Sequence, residues 1–445
     1  MATTTIALFL FSIAFVSSIS SSNAQPNKQI QSFFHLPVKI DRATHQYYTT
    51  TDIGTPESNY FDLVIHLGGQ FLWFDCNTGY NSSTYHPIKC GTRKCKIAKG
   101  IGCVGCNGPL KPGCTNNTCG MSPYNPFNNF LVSGDLGEDR IGVFPTEGAT
   151  VPLSAASVPH FLSVCVDSDR LSDNLLGRMA KNTKGIVGLA RTQIALPTQL
   201  ALTFKLPNRF ALCLPSSTKN GFGDLFVGGG PYFLLPYTKD VSQLLVKVPL
   251  VINPVSTAPV FSDGEPSDEY FIDVKSIKID GEVVNFNTSL LSIHKNGDGG
   301  TKLSTINRYT MLHTSIYKAL VNDFVKKAAA KKIARVASVG RFGACFNSNT
   351  IARIITGPAV PNIDLVFLNE RVHWRISGAN SMVKVGKNVL CLAFVDGGEN
   401  ARTSIVIGGH QMENNLLEFD LASSKLGFTS SLLLHNTSCS HFRLV

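Results

Sequence analysis

The sequence predicts a mostly β protein with two lobes, and three observations support this fold class. The 445 residues exceed one ordinary domain of about 150 residues, and a hydrophobic fraction of 43% can fill more than one core. Turn formers are abundant, with 38 Gly and 22 Pro, as are strand-favouring aromatics, with 28 Phe and 11 Tyr. Short β-like runs alternate with turns from Tyr47 onwards. A charged fraction of 16% excludes a disordered chain or a coiled coil.

The first segment of the chain has the pattern of an export signal. Residues 6–16 form an apolar run broken only by Ser12, and a Ser-rich stretch then ends at Ala24. This pattern predicts a signal peptide over residues 1–24 and a mature chain that starts at Gln25. A membrane anchor would need about 20 apolar residues, and no later stretch is that long. We therefore expect a secreted protein with no membrane partner.

Seven β-like runs and one clear helix follow. The helix is predicted over Ser315–Lys332, with Ile316, Leu320 and Phe324 on one face and Thr314 or Ser315 as its cap. Its lysine-rich end is interpreted as a solvated helix terminus in an exported chain, so no nucleic-acid partner is expected. The predicted strands are Tyr47–Ile53, Tyr60–Ile65, Phe71–Cys76, Gly185–Leu189, Arg209–Leu214, Asp224–Gly228 and Tyr270–Ile279.

A domain boundary is predicted where a glycine-rich turn, residues 228–231, closes the first β-rich stretch. The lobes would then span residues 25–240, which include a disulfide-rich loop, and 241–445. No internal repeat is visible. The formal net charge is +10, and the Lys and Arg residues look scattered along the chain rather than collected into a stripe.

The cysteine content predicts disulfides. Twelve is an even number and is too many for a typical cytosolic chain. Cys103 and Cys106 could form half of a zinc site, but thiols outside the cell oxidise, so we expect six disulfides and no metal. The cysteines are Cys76, Cys90, Cys95, Cys103, Cys106, Cys114, Cys119, Cys165, Cys213, Cys345, Cys391 and Cys439. Four sequons predict N-linked glycans at Asn81, Asn116, Asn287 and Asn436.

Several motifs resemble those of plant pepsin-like aspartic proteases. Residues 54–56, 62–69 and 71–73 are similar to the segment that carries the first catalytic aspartate of that family. Residues 185–190 and 404–409 are similar to its apolar Gly-containing strands. Further similar segments are residues 211–215, 419–420 and 426–428, so the resemblance covers nearly the whole mature chain. It implies a bilobal fold, with a cleft between two β lobes.

Both catalytic aspartates of the resembled family are replaced in this sequence. His66 stands at the first position and Ser304 at the second, and Ile306 stands where the second motif has glycine. Proteases of this type share one proton between two close carboxylates, because two such charges cannot both ionise cheaply. The sequence therefore predicts that the chain is not an enzyme. A nucleophilic pair of His66 and Ser304 is an alternative, but no orienting acid or oxyanion hole is visible.

The replaced aspartates make the sequence more similar to a non-catalytic plant group that shares the pepsin-like fold. It comprises xylanase inhibitors, xyloglucan-endoglucanase inhibitors, extracellular dermal glycoproteins and basic 7S globulins. Its members commonly keep the first aspartate, so His66 is a departure even within the group. The resemblance implies no cofactor, an apoplastic or cell-wall location, and the pairs Cys345–Cys391 and Cys213–Cys439.

Two residues are candidates for contact with a target enzyme. In inhibitory members a basic side chain about four residues before the last cysteine enters the target's cleft, and this position holds His435. An imidazolium could bridge the two carboxyl groups of a retaining glycosidase, best at mildly acidic pH. Arg353 lies in a segment whose counterpart supplies a second contact.

Two functions stay open at this point. The first is inhibition of a secreted microbial glycoside hydrolase, and the second is storage or ligand binding of the basic 7S type. A glycan on Asn436, directly beside His435, would favour the second by obstructing docking. The net charge of +10 would also favour adsorption to an acidic wall polysaccharide. An active aspartic-type peptidase is a remote third reading.

Overall fold

The computed structural model describes residues 33–57, 59–77, 79–148, 155–168, 172–217, 221–368 and 371–440. The predicted signal peptide lies outside these residues. The β-strands are Phe33–Ile40 (β1), Tyr47–Asp52 (β2), Tyr60–His66 (β3), Trp73–Asp75 (β4), His86–Pro87 (β5), Gly102–Val104 (β6), Thr118–Met121 (β7), Tyr124–Asn125 (β8), Phe130–Leu131 (β9), Gly134–Thr146 (β10), Ala156–Val166 (β11), Gly185–Gly188 (β12), Arg209–Cys213 (β13), Gly223–Val227 (β14), Val246–Val251 (β15), Phe271–Ile272 (β16), Ser276–Ile279 (β17), Glu282–Val283 (β18), Thr301–Leu303 (β19), Thr310–Leu312 (β20), Arg335–Val336 (β21), Cys345–Asn347 (β22), Arg353–Ile354 (β23), Gly357–Pro358 (β24), Ile363–Val366 (β25), His373–Ile376 (β26), Met382–Gly386 (β27), Val389–Leu392 (β28), Phe394–Asp396 (β29), Ile405–Ile407 (β30), Leu416–Asp420 (β31) and Lys425–Phe428 (β32).

Ten short helical elements complete the fold within the described ranges. The α-helices are Arg93–Ile97 (α1), Ser172–Leu175 (α2), Leu196–Phe204 (α3), Thr314–Ala330 (α4), Gly378–Ser381 (α5) and Gly409–Met412 (α6), and the 3-10 turns are Val241–Leu244, Thr288–Leu291, Ser348–Thr350 and Leu432–His435. No helix in this part of the chain is long and apolar enough to cross a bilayer. The mostly β, bilobal fold class is confirmed.

The two lobes use the same local arrangement for the strands that lead to the candidate site. In the first lobe β3 pairs in parallel with β12, so that His66 lies opposite Gly188. In the second lobe β19 pairs in parallel with β30, so that Leu303 lies opposite Ile407. The residue after Leu303 is Ser304. The structure thus contains a lobe-to-lobe correspondence that the sequence did not reveal as a repeat.

Strands from both lobes belong to one continuous sheet. Strand β13 pairs antiparallel with β31, which in turn pairs with β32 near the C-terminus. The rings of Phe210 and Phe419 stack at 4.6 Å between centroids across this junction, and both are fully buried. The boundary near residue 240 stays a prediction, because strands on either side of it belong to the same sheet.

The segment before Tyr47 contributes a strand that the sequence analysis did not predict. Strand β1 pairs with β2, β10 and β14, and its apolar residues Leu36 and Val38 are buried in the core. The segment before Tyr47 is therefore a structural part of the first lobe. Burial on both faces removes the alternation of polar and apolar residues that normally marks a strand.

The predicted helix and strands occur, with three differences. Helix α4 begins at Thr314, ends at Ala330 and buries the predicted face, but its cap is His313, whose side chain accepts from the backbone N–H of Ser315 at 3.2 Å. The predicted strand Tyr270–Ile279 is two strands, β16 and β17. The run Phe71–Cys76 is shortened to β4.

All twelve cysteines lie in the described part of the chain and form six disulfides. The two pairs implied by the resemblance are present, and the zinc alternative is wrong because Cys103 and Cys106 bond to different partners. The pairs are Cys76–Cys165, Cys90–Cys103, Cys95–Cys119, Cys106–Cys114, Cys213–Cys439 and Cys345–Cys391.

Candidate functional site

His66 and Ser304 line the same cavity, of about 250 Å³, at the junction of the lobes. His66 is the last residue of β3 and Ser304 directly follows β19, so each stands at the end of a strand that enters the cavity from its own lobe. The carboxylates that line this cavity, Asp268 and Glu269, are neighbours in one segment of the second lobe. The cavity therefore has no carboxylate pair contributed by the two facing loops.

Thr305 fastens the two facing loops to each other. Its hydroxyl donates to the backbone carbonyl of Ile65 at 2.7 Å and accepts from the backbone N–H of Leu67 at 3.1 Å. Thr305 and Leu67 are both buried. The apolar side chain of Leu67 forms no hydrogen bond, so the Thr305 hydroxyl provides the polar contact between the loops. One hydroxyl from the second lobe thus satisfies two backbone groups in the loop that carries His66.

His66 is neutral over the pH range in which an unperturbed histidine would charge. Its pKa is lowered from 6.5 to about 4, mainly because the ring is buried; Glu269 partly opposes this change and Lys302 adds to it. The charged ring is disfavoured because it would lose water in a cavity that already holds an ammonium group. His66 is therefore poorly suited to binding an anion at mildly acidic pH.

The Ser304 hydroxyl is occupied by its own turn. It donates to Asn307 Oδ1 at 2.9 Å and accepts the backbone N–H groups of Ile306 and Asn307 at 3.2 and 3.3 Å. Among the residues that the structure describes, no hydrogen bond joins Ser304 to the ring of His66. The alternative of a His66–Ser304 nucleophilic pair gains no support, because a base must be within hydrogen-bond reach of its nucleophile.

An ion pair between Glu269 and Lys302 occupies the cavity beside these loops. Lys302 Nζ contacts the two carboxylate oxygens of Glu269 at 2.8 and 3.0 Å, and the hydroxyl of Thr257 donates to the same carboxylate. Burial alone would raise the pKa of Glu269, but Lys302 and Thr257 hold it below its ordinary value. A Cβ on Gly68 would come within 2.7 Å of this carboxylate, so a larger residue there would displace the Glu269 side chain from its present position.

Sequence reasoning missed this ion pair, and only one feature could have indicated it. Lys302 is a charged residue in the middle of the strand β19, two positions before Ser304. A buried lysine requires a partner, but Glu269 is 33 residues away and nothing in the sequence identifies it.

The segment that carries Glu269 is fastened to the first lobe. Arg191 donates its backbone N–H to the carbonyl of Asp268 at 3.0 Å and its guanidinium to the carbonyl of Glu269 at 2.7 Å. Gln70 donates to the Asp268 carboxylate at 2.9 Å. A groove of about 750 Å³ lies beside this contact, between the disulfide-rich loop and residues 259–262. The lobes are held together around the cavity by bonds to main-chain carbonyls as well as by side chains.

His435 lies outside the cavity, at the end of the last 3-10 turn. Its ring is half-buried and packs edge-on against Tyr237, with 5.5 Å between the ring centroids. The preceding residue, Leu434, is 54% exposed. The turn is anchored by the backbone N–H of Leu432, which donates to the carbonyl of Asn414 at 2.9 Å. His435 is therefore an oriented surface residue rather than part of a flexible tail.

Arg353 lies on a short exposed hairpin, β23–β24. The next two residues, Ile354 and Ile355, are 56% and 54% exposed, so the hairpin presents apolar surface beside the guanidinium group. The hairpin packs on α5, where a Cβ on Gly357 would meet the backbone of Ala379 within 2.7 Å. No contact joins Arg353 to His435 in the described ranges.

Both candidate contact residues are nevertheless anchored on one segment. From α5, which supports the Arg353 hairpin, Asn380 donates to the backbone carbonyls of His410 and Glu413 at 2.9 and 2.8 Å. The 3-10 turn that ends in His435 is bonded to the adjacent Asn414, as described above. Residues 409–414 thus fix the supports of both loops.

Comparison with known proteins places the chain in a family. The domain family described as "Xylanase inhibitor N-terminal" matches residues 47–229, and "Xylanase inhibitor C-terminal" matches residues 269–430. The chain belongs to this xylanase-inhibitor family. "Probable aspartic proteinase GIP2" of Nicotiana benthamiana is 50% identical over 98% of this chain and 97% of the relative. "Basic 7S globulin 2" of Glycine max is 34% identical over 97% and 94% of the two chains.

The solved structures similar to this family member support the same assignment. The structure titled "Crystal structure of edgp" is 48% identical, with a TM-score of 0.89, and the match covers 93% of this chain and 98% of the other. The soybean basic 7S globulin structure has a TM-score of 0.77 at 31% identity, over 92% and 98%. The resemblance to the plant non-catalytic pepsin-like group is confirmed.

The four predicted glycosylation positions of this xylanase-inhibitor family member are all exposed: Asn81, Asn116, Asn287 and Asn436. Exposure agrees with a glycan at each position, and the glycans themselves stay predictions. Asn436 has a left-handed backbone, with φ of 55°, and directly follows the turn that ends in His435. A glycan on Asn436 would therefore stand beside the imidazole ring.

Proposed function

We propose that the protein is a secreted, non-catalytic inhibitor of microbial glycoside hydrolases that degrade plant cell walls. The observation that carries the proposal is the pair of ordered loops, bearing His435 and Arg353, that share one anchoring segment in a member of the xylanase-inhibitor family. Its target would be a xylanase or a xyloglucan-specific endoglucanase. Its place of action would be the apoplast or the cell wall.

The arrangement of the cleft supports the non-catalytic part of the proposal. Cleavage by a pepsin-like enzyme needs two carboxylates that share a proton around one water molecule. Here Glu269 is neutralised by Lys302, Asp268 accepts from Gln70, and the Ser304 hydroxyl is bonded within its own turn. None of these groups is available as a shared-proton acid and base. These contacts support binding rather than hydrolysis as the function of the protein.

The chemistry of the target supports the role of His435. A retaining glycoside hydrolase presents two carboxyl groups about 5–5.5 Å apart, and a protonated imidazole can donate to both. Such a charge-assisted hydrogen bond contributes about 1.5–3 kcal/mol. Packing of His435 on Tyr237 limits the entropy that the ring would lose on binding. The exposed Leu434 and Ile354 would supply apolar contact around it.

The experiment is inhibition of purified xylanase and xyloglucan-specific endoglucanase, measured against pH. We expect His435→Ala to weaken inhibition by about one to two powers of ten, in line with one charge-assisted hydrogen bond. Inhibition by the parent should also weaken as pH rises, because a neutral imidazole cannot donate a charge-assisted hydrogen bond to each of the two carboxyl groups. The matched control is His294→Ala, an exposed histidine elsewhere in the chain, which should inhibit like the parent.

The Asn436 glycan is tested separately. Asn436→Gln should strengthen inhibition if a glycan obstructs docking, whereas Asn287→Gln, which removes another exposed sequon, should have no effect.

A storage or ligand-binding function is the second candidate, and the relatives named basic 7S globulin favour it. It would be preferred if neither hydrolase is retained or inhibited by the purified protein. A His435→Ala variant that inhibits as tightly as the parent would instead exclude His435 as the contact residue.

A further inference from the structure

One part of the chain is basic to a degree that the overall composition hides. From residue 324 to residue 363 the sequence has seven Lys and Arg residues and no Asp or Glu. These forty residues therefore contribute +7, against a net charge of +10 for the whole chain. The expectation that basic residues are simply scattered is wrong for this segment, which runs from the end of α4 to the β23–β24 hairpin.

Three of the seven cations are paired with acids from neighbouring elements. Lys331 contacts Asp280 at 3.0 Å, Lys326 contacts Asp323 at 3.6 Å, and Lys327 contacts Glu282. The other four, Lys332, Arg335, Arg341 and Arg353, are exposed. No ion pair links them to any carboxylate in the described part of the chain. Four unpaired cations, three of them arginines, are thus left facing solvent.

Hydrogen bonds within the segment bring these cations onto one surface. The backbone N–H of Ala334 donates to the hydroxyl of Thr350 at 3.0 Å, which places Lys332 and Arg335 beside the turn that precedes Arg353. Arg335 donates to the carbonyl of Gly343 at 3.3 Å, and the hydroxyl of Ser338 donates to the same carbonyl at 3.1 Å. The loop between them, which carries Arg341, is thereby held next to Arg335.

We propose that Lys332, Arg335 and Arg341 form a binding surface for a linear polyuronate, specifically the de-esterified polygalacturonate of the plant wall. Guanidinium groups match carboxylates because they donate two parallel hydrogen bonds, and a polymer with one carboxylate per sugar can engage several cations together. None of the four sequons lies between residues 324 and 363, so no N-linked glycan is predicted on this surface.

A second basic segment in the first lobe provides the comparison. Residues 76–134 carry six Lys and Arg residues and no acid. Three of the six are ion-paired, and the other three, Lys89, Arg93 and Lys96, are exposed and form no ion pair within the described ranges. Only one of these is arginine, and the sequon at Asn116 lies inside the segment. Three positive charges can therefore be removed from either surface. A comparison of the two variants distinguishes a specific binding site from general electrostatic attraction.

The test is the affinity of the full secreted chain for polygalacturonate, measured by calorimetry at several salt concentrations. The triple variant Lys332→Gln/Arg335→Gln/Arg341→Gln should bind about tenfold more weakly, as expected for three exposed ion pairs. The matched variant Lys89→Gln/Arg93→Gln/Lys96→Gln removes the same charge and should change affinity less than about threefold. Parent binding should fall steeply between about 50 and 200 mM salt.

Two outcomes would decide against the proposal. Equal weakening by the two triple variants would mean that net charge alone attracts the polymer. Equal binding of fully methyl-esterified polygalacturonate, which lacks the charges, would exclude recognition of carboxylates. Unchanged unfolding midpoints confirm that both variants are folded. A Lys332→Arg/Arg335→Lys/Arg341→Lys variant keeps every charge but has one guanidinium group fewer, so it should bind more weakly than the parent and more tightly than the Gln triple variant. Because His435 and Arg353 are native throughout, failure here leaves the proposed inhibition of hydrolases intact.

Discussion

Thr305 allows the connection between the two site loops to be tested quantitatively. Thr305→Val keeps the shape of the side chain but removes the hydroxyl that bonds the Ile65 carbonyl and the Leu67 N–H. Both backbone groups would then be buried without a partner, at a cost of about 1–3 kcal/mol for each unsatisfied group. We expect the free energy of unfolding to fall by about 2–4 kcal/mol, since the loops can relax partly.

The control for this prediction is a variant whose free energy of unfolding should not fall. Thr49 is equally buried, on β2, but its hydroxyl has no hydrogen-bond partner among the residues that the structure describes. Thr49→Val should leave stability unchanged or raise it by up to about 1 kcal/mol, because it removes an unsatisfied polar atom. Urea unfolding followed by tryptophan fluorescence, with the disulfides intact, measures both. If the two variants shift the unfolding midpoint equally, the Thr305 bonds do not hold the loops together.

Two further predictions concern the residues of the cleft. The pKa of His66 is lower in the folded chain (about 4) than its ordinary value of 6.5, so the unfolded chain takes up the extra proton and stability falls as pH drops from 6.5 to 4. At about 1.4 kcal/mol per pH unit the loss approaches 3 kcal/mol, and His66→Asn should abolish this part of the acid dependence in urea unfolding measured at both pH values. The parent and His66→Asp should not cleave casein at any pH between about 2 and 7, because one carboxylate cannot share a proton with Ser304; pepstatin-sensitive cleavage by either pure protein would contradict the non-catalytic assignment.

The fold class and family could be predicted from the sequence because their evidence is local. The motifs around His66 and Ser304 are contiguous, and turn residues between short apolar runs mark most strands. The buried face of α4 follows from its helical spacing of apolar residues. The structure that these residues adopt is indicated by neighbours a few positions away in the sequence. It could therefore be predicted without knowledge of distant contacts.

Other features depended on partners far away in the chain. Strand β1 was missed because its burial is set by β2, β10 and β14. The α4 cap was misplaced by one or two residues, since an N-terminal histidine is a rarer cap than threonine or serine.

The sequence by itself determined which groups are missing from the cleft: two carboxylates cannot be present where His66 and Ser304 stand. Only the tertiary structure decided what the cleft contains in their place. In the folded chain Lys302 forms an ion pair with Glu269, and Thr305 connects the two loops by hydrogen bonds. The Ser304 hydroxyl donates its hydrogen bond within its own turn. The physical reason is that a buried charge or hydroxyl is stable only with a partner, and the partner is chosen by proximity in space rather than along the chain.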